Sequence, residues 1–429
     1  MSDAQTTLHL PPVTSDTSQS SQEITPPRLP TPSQQKFCEP CKAFLRGDST
    51  ECFGSDKWDI YGNLEYIHHP DAESFQRALD LPCVICIRLY KAFQRASEER
   101  DQPAYSIGPT HYYWHRGSLD FLSDTLSVYP SLERYESRPD LHHQHITRNT
   151  GDARALFFLR KQYHECREQH SRCQRIAPYN DFTPTRAMYV GSTGGEVIRL
   201  CDRADMVAGA SYTVLSHCWG KDPQRVMLKK STEKMLKEGI SSSSLPKTFQ
   251  DAIVVTRMFK IQYIWIDSLC IFQDNLDDWA AEASRMRDVY SKAELCIAAT
   301  GAEFGDVGLF FDRDPEQLTP IMVEATWSSN QDSFHWPTSG SYLFGFYGID
   351  ANEAVDLAPL NQRAWVAQER FLSPRILHLT QPLLIWECHT SFTCENDNRS
   401  AALNGQNPAT IPCTISLFIA PATAPDCMQ

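Results

Sequence analysis

Residues 263–300 read YIWIDSLCIFQDNLDDWAAEASRMRDVYSKAELCIAAT, and this stretch decides the fold class. A short apolar run, Tyr263 to Ile266, ends in Asp267. A loop with acidic residues, Asp274, Asp277 and Asp278, follows. Next comes a helical pattern in which Trp279, Ala283, Met286 and Tyr290 recur on one face, which predicts a buried stripe. Asp277 or Asp278 stands where an N-cap or first-turn acid belongs. A second apolar run, Leu295 to Ala299, closes the unit. Strand, helix and strand in so few residues have the size of a βαβ unit and predict a parallel sheet. An acid at the carboxyl end of a parallel strand lies where α/β folds place ligands.

Upstream, SYTVLSHCWG (211–220) extends the pattern. Tyr212 to Leu215 predicts a buried strand that runs into the polar turn Ser216-His217-Cys218-Trp219-Gly220. In extended backbone His217 and Cys218 point to opposite sides, which argues against a Cys/His nucleophilic dyad. Ser241 to Ser244, then Leu245-Pro246, form a helix start signal. The helix after it carries Phe249, Ala252, Ile253, Thr256 and Phe259 on one face. The order strand 212–215, helix 246–260, strand 263–267, helix 278–291, strand 295–299 is βαβαβ and predicts a doubly wound parallel sheet. Downstream, Arg363 to Phe371 predicts a helix with Trp365 and Glu369 as i, i+4 neighbours, stopped by Ser373-Pro374. Ile376 to Leu379 and Leu383 to Trp386 predict strands.

The 429 residues suffice for more than one domain, and the 41% hydrophobic and 22% charged content is that of a globular protein. The net charge of −13 disfavours nucleic-acid binding. The sequence has no 18-residue apolar run and no signal-peptide pattern, so the expectation is a cytoplasmic protein without a membrane span. Fifteen cysteines then read as reduced thiols and metal ligands rather than as a disulfide framework. Residues 1–35, rich in Ser, Thr and Pro, are expected to be disordered, with a Pro-rich docking peptide around PPRLPTP as the functional alternative. Residues 36–180 are expected to form a mainly helical Cys/His-containing region, with 87–165 mixed helix and loop. The expected core domain spans 185–392, and 393–429 forms an irregular tail.

Two C-x2-C pairs, Cys38/Cys41 and Cys83/Cys86, have the ligand chemistry of a tetrahedral zinc site, with Cys52, His68 and His69 between them. Their wide separation leaves the alternative that Cys83 and Cys86 are simply buried helix residues. The His-bearing run 141–147 reads as a solvated loop. Cys166, His170 and Cys173 form a C-x3-H-x2-C cluster nearly on one helical face. Either it binds a metal or its thiols pack against the next domain.

Three blocks together resemble the fungal heterokaryon-incompatibility (HET) domain: YTVLSHCWG; LPKTFQDAI with IWIDSLCIFQD and YSKAELCIAAT; and NQRAWVAQERFLSPRILHL with WEC. The resemblance spans roughly 185–390. His217 departs from the family's usual aromatic, and Met188-Tyr189-Val190 replaces its common I-D-V. The resemblance implies a role in allorecognition and programmed cell death, through protein partners or self-association. HET domains are also similar, distantly, to Toll/interleukin-receptor (TIR) domains, several of which cleave NAD. That likeness implies a TIR-like, flavodoxin-like, mostly parallel sheet flanked by helices. It also implies NAD as a substrate and Glu369, in R-A-W-V-A-Q-E, as the catalytic acid. Ser216, Trp219, Gly220, Asp267, Glu282 and Trp365 are the accompanying substrate-binding candidates, with Trp219 or Trp365 to stack on a base, Asp267 to hold a ribose hydroxyl and Glu282 as the second-choice acid.

Overall fold

Strands whose side chains are buried on both faces must be covered by helices on both sides, and such strands read as unbroken apolar runs. Four of them form the centre of the computed structural model. It describes residues 35–47, 65–100, 103–115, 118–123, 126–135, 146–176, 182–191, 195–220, 226–327, 339–345 and 351–402. The Ser/Thr/Pro-rich tail to residue 34 with its PPRLPTP segment, Cys52, the histidines of 141–145 and the chain from 403 onward lie outside these residues.

In chain order the central elements are β1 (Tyr212–Ser216), α1 (Lys247–Met258), β2 (Tyr263–Trp265), α2 (Leu276–Ser291), β3 (Leu295–Ala298), α3 (Ala364–Leu372), β4 (Arg375–Leu379) and β5 (Leu384–Cys388). Every residue of β1 to β4 is buried. β1 pairs in parallel with β2 on one side and β3 on the other, and β3 pairs in parallel with β4. The spatial order of the parallel strands is therefore β2-β1-β3-β4, with the reversal of direction between β1 and β3. Antiparallel strands extend both edges. Arg186–Tyr189 pairs with β2 and continues to Val197–Asp202 and Ile240–Ser241. β5 pairs with β4 and continues to Ser391–Cys394 and Asp397–Ala402. The result is a ten-stranded mixed sheet with a parallel centre.

Capping follows the sequence signals closely. Asn275 caps α2 by accepting from Asp277 N at 3.2 Å and Asp278 N at 3.4 Å, which leaves both acids in the first turn where the helix dipole favours them. Pro246 stands immediately before α1, whose face Phe249, Ala252, Ile253 and Thr256 is buried on the sheet. The α2 stripe is rotated from the expected one. Trp279 is 43% exposed, while Glu282, Val289 and Tyr290 are buried. The cause is polar. Arg186, on the neighbouring strand, donates to Asp278 and to Cys270 O, and Arg285 reaches both Glu282 Oε1 (3.1 Å) and Thr185 Oγ1 (2.8 Å). Turning two acids toward these partners turns Trp279 outward.

The N-terminal region holds helices Glu39–Arg46, Ala72–Asp80 and Val84–Glu99, and also a four-stranded antiparallel sheet, Glu65–His69, Thr110–His115, Ser118–Ser123 and Leu126–Val128. The strands from 110 onward stand where mixed helix and loop was expected. Its core is aromatic: Phe44 lies 5.0 Å from Tyr112, 6.0 Å from Phe121 and 5.8 Å from Trp327, ring centre to ring centre. Trp327 comes from far along the chain. Strands Ile321–Ala325 and Gly340–Gly345 cross to this region, where the second pairs with Ser131–Arg134. Helices Ala153–Gln169 and Ser171–Ile176 go the other way and pack into the core of the large sheet through Leu159, Tyr163, Cys166 and Cys173.

Candidate functional site

At the carboxyl end of β1 the chain leaves the sheet at Ser216, and helix α3 brings Glu369 to it. Ser216 Oγ donates to Glu369 Oε2, although the two residues stand 153 positions apart. α3 is held in place by its own flanks. Arg370 donates to Glu387 Oε2 (2.8 Å) and Asp356 Oδ1 (2.8 Å), Ser373 Oγ caps Glu369 O (2.7 Å), and Arg363 donates to His217 O. Arg375 lies against Glu294 (3.5 Å). Each nearby arginine thus donates to another partner, and the Glu369 carboxylate takes the Ser216 hydroxyl.

Asp267, at the carboxyl end of β2, forms the second half of the cluster. Its Oδ2 accepts from Trp219 Nε1 at 2.9 Å, and its Oδ1 accepts from Ser268 N at 2.6 Å. His217 Nε2 stands 3.9 Å from Asp267 Oδ1, beyond hydrogen-bond reach, and its ring meets Phe249 edge-on at 4.9 Å. Gly220 ends the turn at φ +78°, and a Cβ there would come within 2.7 Å of Phe304 Cβ, so only glycine fits this close approach. Ser216, Trp219, Asp267 and Glu369 are therefore brought together, with Gly220 shaping the turn. Glu282 and Trp365 are not. Glu282 faces Arg285 and the strand beside β2. Trp365 is 52% exposed at the start of α3, because Val366 and Glu369 occupy the buried side of that short helix.

Sequence reading missed two participants. Tyr290 of α2 was placed in the core, yet its buried phenol is close enough to Glu369 for that carboxyl's charge to help push it up. Arg363, which the sequence placed only at the start of a helix, clamps the His217 carbonyl. The signal for Tyr290 was its phenol at the end of an apolar stripe, since a buried Tyr O–H needs a partner.

Burial sets the electrostatics. It pushes the Glu369 carboxyl above its ordinary range, against the hydrogen bond from Ser216 and the charge of Arg363 that pull it down. Burial likewise pushes the His217 imidazole down, despite Asp267, and the Tyr290 phenol and Cys218 thiol up. Beside the cluster, burial alone would raise Glu387, but the hydrogen bond from His378 Nε2 (2.8 Å) and the Arg370 charge hold it below its usual range.

A stability prediction follows from Glu369. Its folded-state pKa lies above the unfolded one, so folding takes up a proton between the two. The stabilisation is full below the ordinary carboxylate range and is lost as pH rises through the folded value. Glu369→Gln keeps the shape without the charge. Its urea midpoint is expected to exceed that of the parent at pH 8 and to match it near pH 4. Equal midpoints at both pH values would contradict a buried, uptake-linked carboxyl.

Elsewhere two sulfur clusters form. Cys38, Cys41, Cys83 and Cys86 are all buried and bring their Sγ atoms within 4.8 Å of one another. Cys38 and Cys41 open helix Glu39–Arg46, while Cys83 caps and Cys86 begins Val84–Glu99. A zinc ion about 2.3 Å from each sulfur spaces tetrahedral sulfurs about 3.8 Å apart. The Cys38–Cys86 and Cys41–Cys86 separations are 3.6 and 3.5 Å. His68 and His69 turn their Nε2 atoms to the cluster, 3.2 Å from Cys41 Sγ and 3.3 Å from Cys86 Sγ. Their Nδ1 atoms meet Thr110 Oγ1 (3.2 Å) and Ser74 Oγ (2.9 Å), an outer shell of the kind that orients metal-site imidazoles. Burial pushes His68 down to about 3, so it is neutral. This donor set can hold a metal ion. The second cluster joins Cys166, His170 and Cys173 to Cys388.

With this geometry in hand, comparison with known families is decisive for the central domain. Residues 212–369 match the family described as Heterokaryon incompatibility protein (HET). The chain carries a HET domain. The match begins at the first residue of β1 and ends at Glu369, so it frames the parallel centre and the cluster at its carboxyl end. A HET domain implies a role related to heterokaryon incompatibility. No curated protein and no solved structure gives a significant match to the chain. Among the described residues, no helix is long and apolar enough to cross a membrane.

Proposed function

We propose that the chain is an allorecognition and cell-death signalling protein whose HET domain carries a latent NAD-cleaving site at Ser216, Asp267 and Glu369. The observation that carries this reading is the meeting of Ser216 and Glu369 at the carboxyl ends of the parallel strands, where the order β2-β1-β3-β4 reverses. Open α/β sheets, flavodoxin-like folds among them, bind nucleotides at such reversals. Breaking a nicotinamide–ribose bond develops oxocarbenium character, which an ionised carboxylate stabilises. Asp267 would hold a ribose hydroxyl, with Trp219 ordering its carboxylate.

The latency has a physical basis. Glu369, Ser216 and His217 are 6%, 3% and 2% exposed, so the cluster is covered in this conformation. Burial disfavours the ionised form of Glu369, the form that stabilises a cation. Displacing α3 would hydrate the carboxyl, favour its ionised form and admit a ligand in one step. Self-association or a protein partner that favours the displaced α3 would switch the site on.

Purified protein incubated with NAD, alone and under crowding, is expected to release nicotinamide in the crowded state. Glu369→Ala is expected to reduce release to background. No release in any state would remove the enzymatic reading, and equal release by the variant would remove Glu369 from it. The signalling reading has its own measurement. Induced expression in a fungal host is expected to reduce viable cell counts, and unchanged counts at matched expression would overturn it.

A further inference from the structure

We propose that Cys166, His170, Cys173 and Cys388 hold one zinc ion, which clamps the helices preceding the HET domain to strand β5. Three of the donors come from one corner of the chain. Cys166 lies in the last turn of helix Ala153–Gln169. His170 breaks that helix at φ −84°, ψ 91°, and the chain turns into Ser171–Ile176, which carries Cys173. The break lets both thiols and the imidazole face one point. The fourth donor is the last residue of β5, 218 positions from His170.

The four donor atoms lie within 4.8 Å of one another. Cys388 Sγ is 3.4 Å from His170 Nδ1. Zinc bonds of about 2.3 Å to sulfur and 2.0 Å to nitrogen, at the tetrahedral angle, give about 3.5 Å for such a pair. Three cysteines and one histidine make a closed structural zinc set. The surroundings suit thiolates. Ser391 N donates to Cys388 Sγ at 3.4 Å, Ser391 Oγ stands 3.3 Å from the same sulfur, and Thr390 Oγ1 stands 3.3 Å from Cys173 Sγ. Zinc with three thiolates carries one net negative charge, and the buried Arg375 guanidinium, which also faces Glu294, lies beside Cys166.

The competing account is plain apolar packing, since Cys166, Cys173 and Cys388 are all buried in the main core. Packing accounts for three small sulfur groups and gives no reason for an imidazole nitrogen aimed at one of them. A disulfide would use two thiols and leave the histidine without a task. The zinc ion uses all four donors. Cys388 follows Glu387, which anchors Arg370 of α3, so the clamp also braces the helix that carries Glu369.

The test uses the full chain, expressed with zinc and measured by elemental analysis. A background with Cys38, Cys41, Cys83 and Cys86 all replaced by serine removes every thiol of the other cluster from the count. In that background about one zinc per chain is expected to remain, to fall to near zero with Cys388→Ser, and to be retained with Cys388→His. No zinc in the background chain, or unchanged zinc after Cys388→Ser, would overturn the proposal. A second measurement needs no variant. Chelation of the parent chain is expected to open Cys166, Cys173 and Cys388 to iodoacetamide while the buried Cys296 of β3 stays protected. Labelling of those three unchanged by chelation would equally overturn it.

Discussion

Cys41→Ser is expected to unfold the N-terminal region while leaving the HET sheet intact, the largest single effect anticipated in the molecule. Four buried sulfurs tie the start of helix Glu39–Arg46 to the start of Val84–Glu99, and His68 and His69 bring strand Glu65–His69 to the same point. If the cluster holds zinc, binding energy is folding energy, and structural zinc contributes roughly 10–16 kcal/mol in small domains. The aromatic core around Phe44, Tyr112, Phe121 and Trp327 is small, and a region of this size has only a few kcal/mol to spare. The two regions have separate hydrophobic cores, so loss of one need not take the other. Hydrogen exchange resolves them. Amides of Glu65–His69 and Thr110–His115 are expected to lose protection in the variant or under chelation, while those of β1 and β2 keep it. Retained protection in the first group would show that the thiols are only packed there.

Much of the centre of this fold was legible in the sequence, and the reason is local. β1 to β4 are buried on both faces, so each reads as a short apolar run, and helices between them carry their own caps at Asn275 and around Pro246. The Ser216–Glu369 meeting was legible only through family-like motifs, because nothing in spacing joins residues 153 positions apart. What escaped depends on partners contributed by distant segments. The face of α2 follows Arg186 and Arg285 rather than the apolar period, so Trp279 is outside and Glu282 inside. Trp365 fell on the exposed side because the short α3 turns Val366 and Glu369 inward. Strand Thr110–His115 mixes Tyr, Trp and His without a clear apolar alternation. The crossing of Ile321–Ala325 and Gly340–Gly345 to the N-terminal region rests on pairing with Ser131–Arg134, which no local pattern announces. Cys388 gave no ligand signal, since a cysteine in an apolar strand reads as core.

Arg313→Met is expected to cost about 3–5 kcal/mol, as removal of one partner from a buried ion pair does. Arg313 and Glu395 have side chains only 3% and 5% exposed, and they meet through the two terminal guanidinium nitrogens. The same guanidinium donates to Thr147 O at 2.8 Å and Pro382 O at 3.0 Å, and Glu395 Oε1 accepts from Leu384 N at 2.7 Å. One arginine thus joins the segment before helix Ala153–Gln169, the turn between β4 and β5, and the turn after strand Ser391–Cys394. Methionine fills much of the volume but leaves a buried carboxylate and two carbonyls without their donor. Arg313→Lys keeps the charge and loses the fork, so it is expected to fall between parent and methionine. The decisive comparison is Arg313→Met/Glu395→Gln. If the cost lies in the orphaned charge, the double variant is more stable than Arg313→Met alone, and the two substitutions show a coupling above about 1 kcal/mol in urea midpoints. Additive costs would instead place the loss in packing and in the carbonyls, and the ion pair would then hold the segments no more tightly than neutral side chains of the same shape.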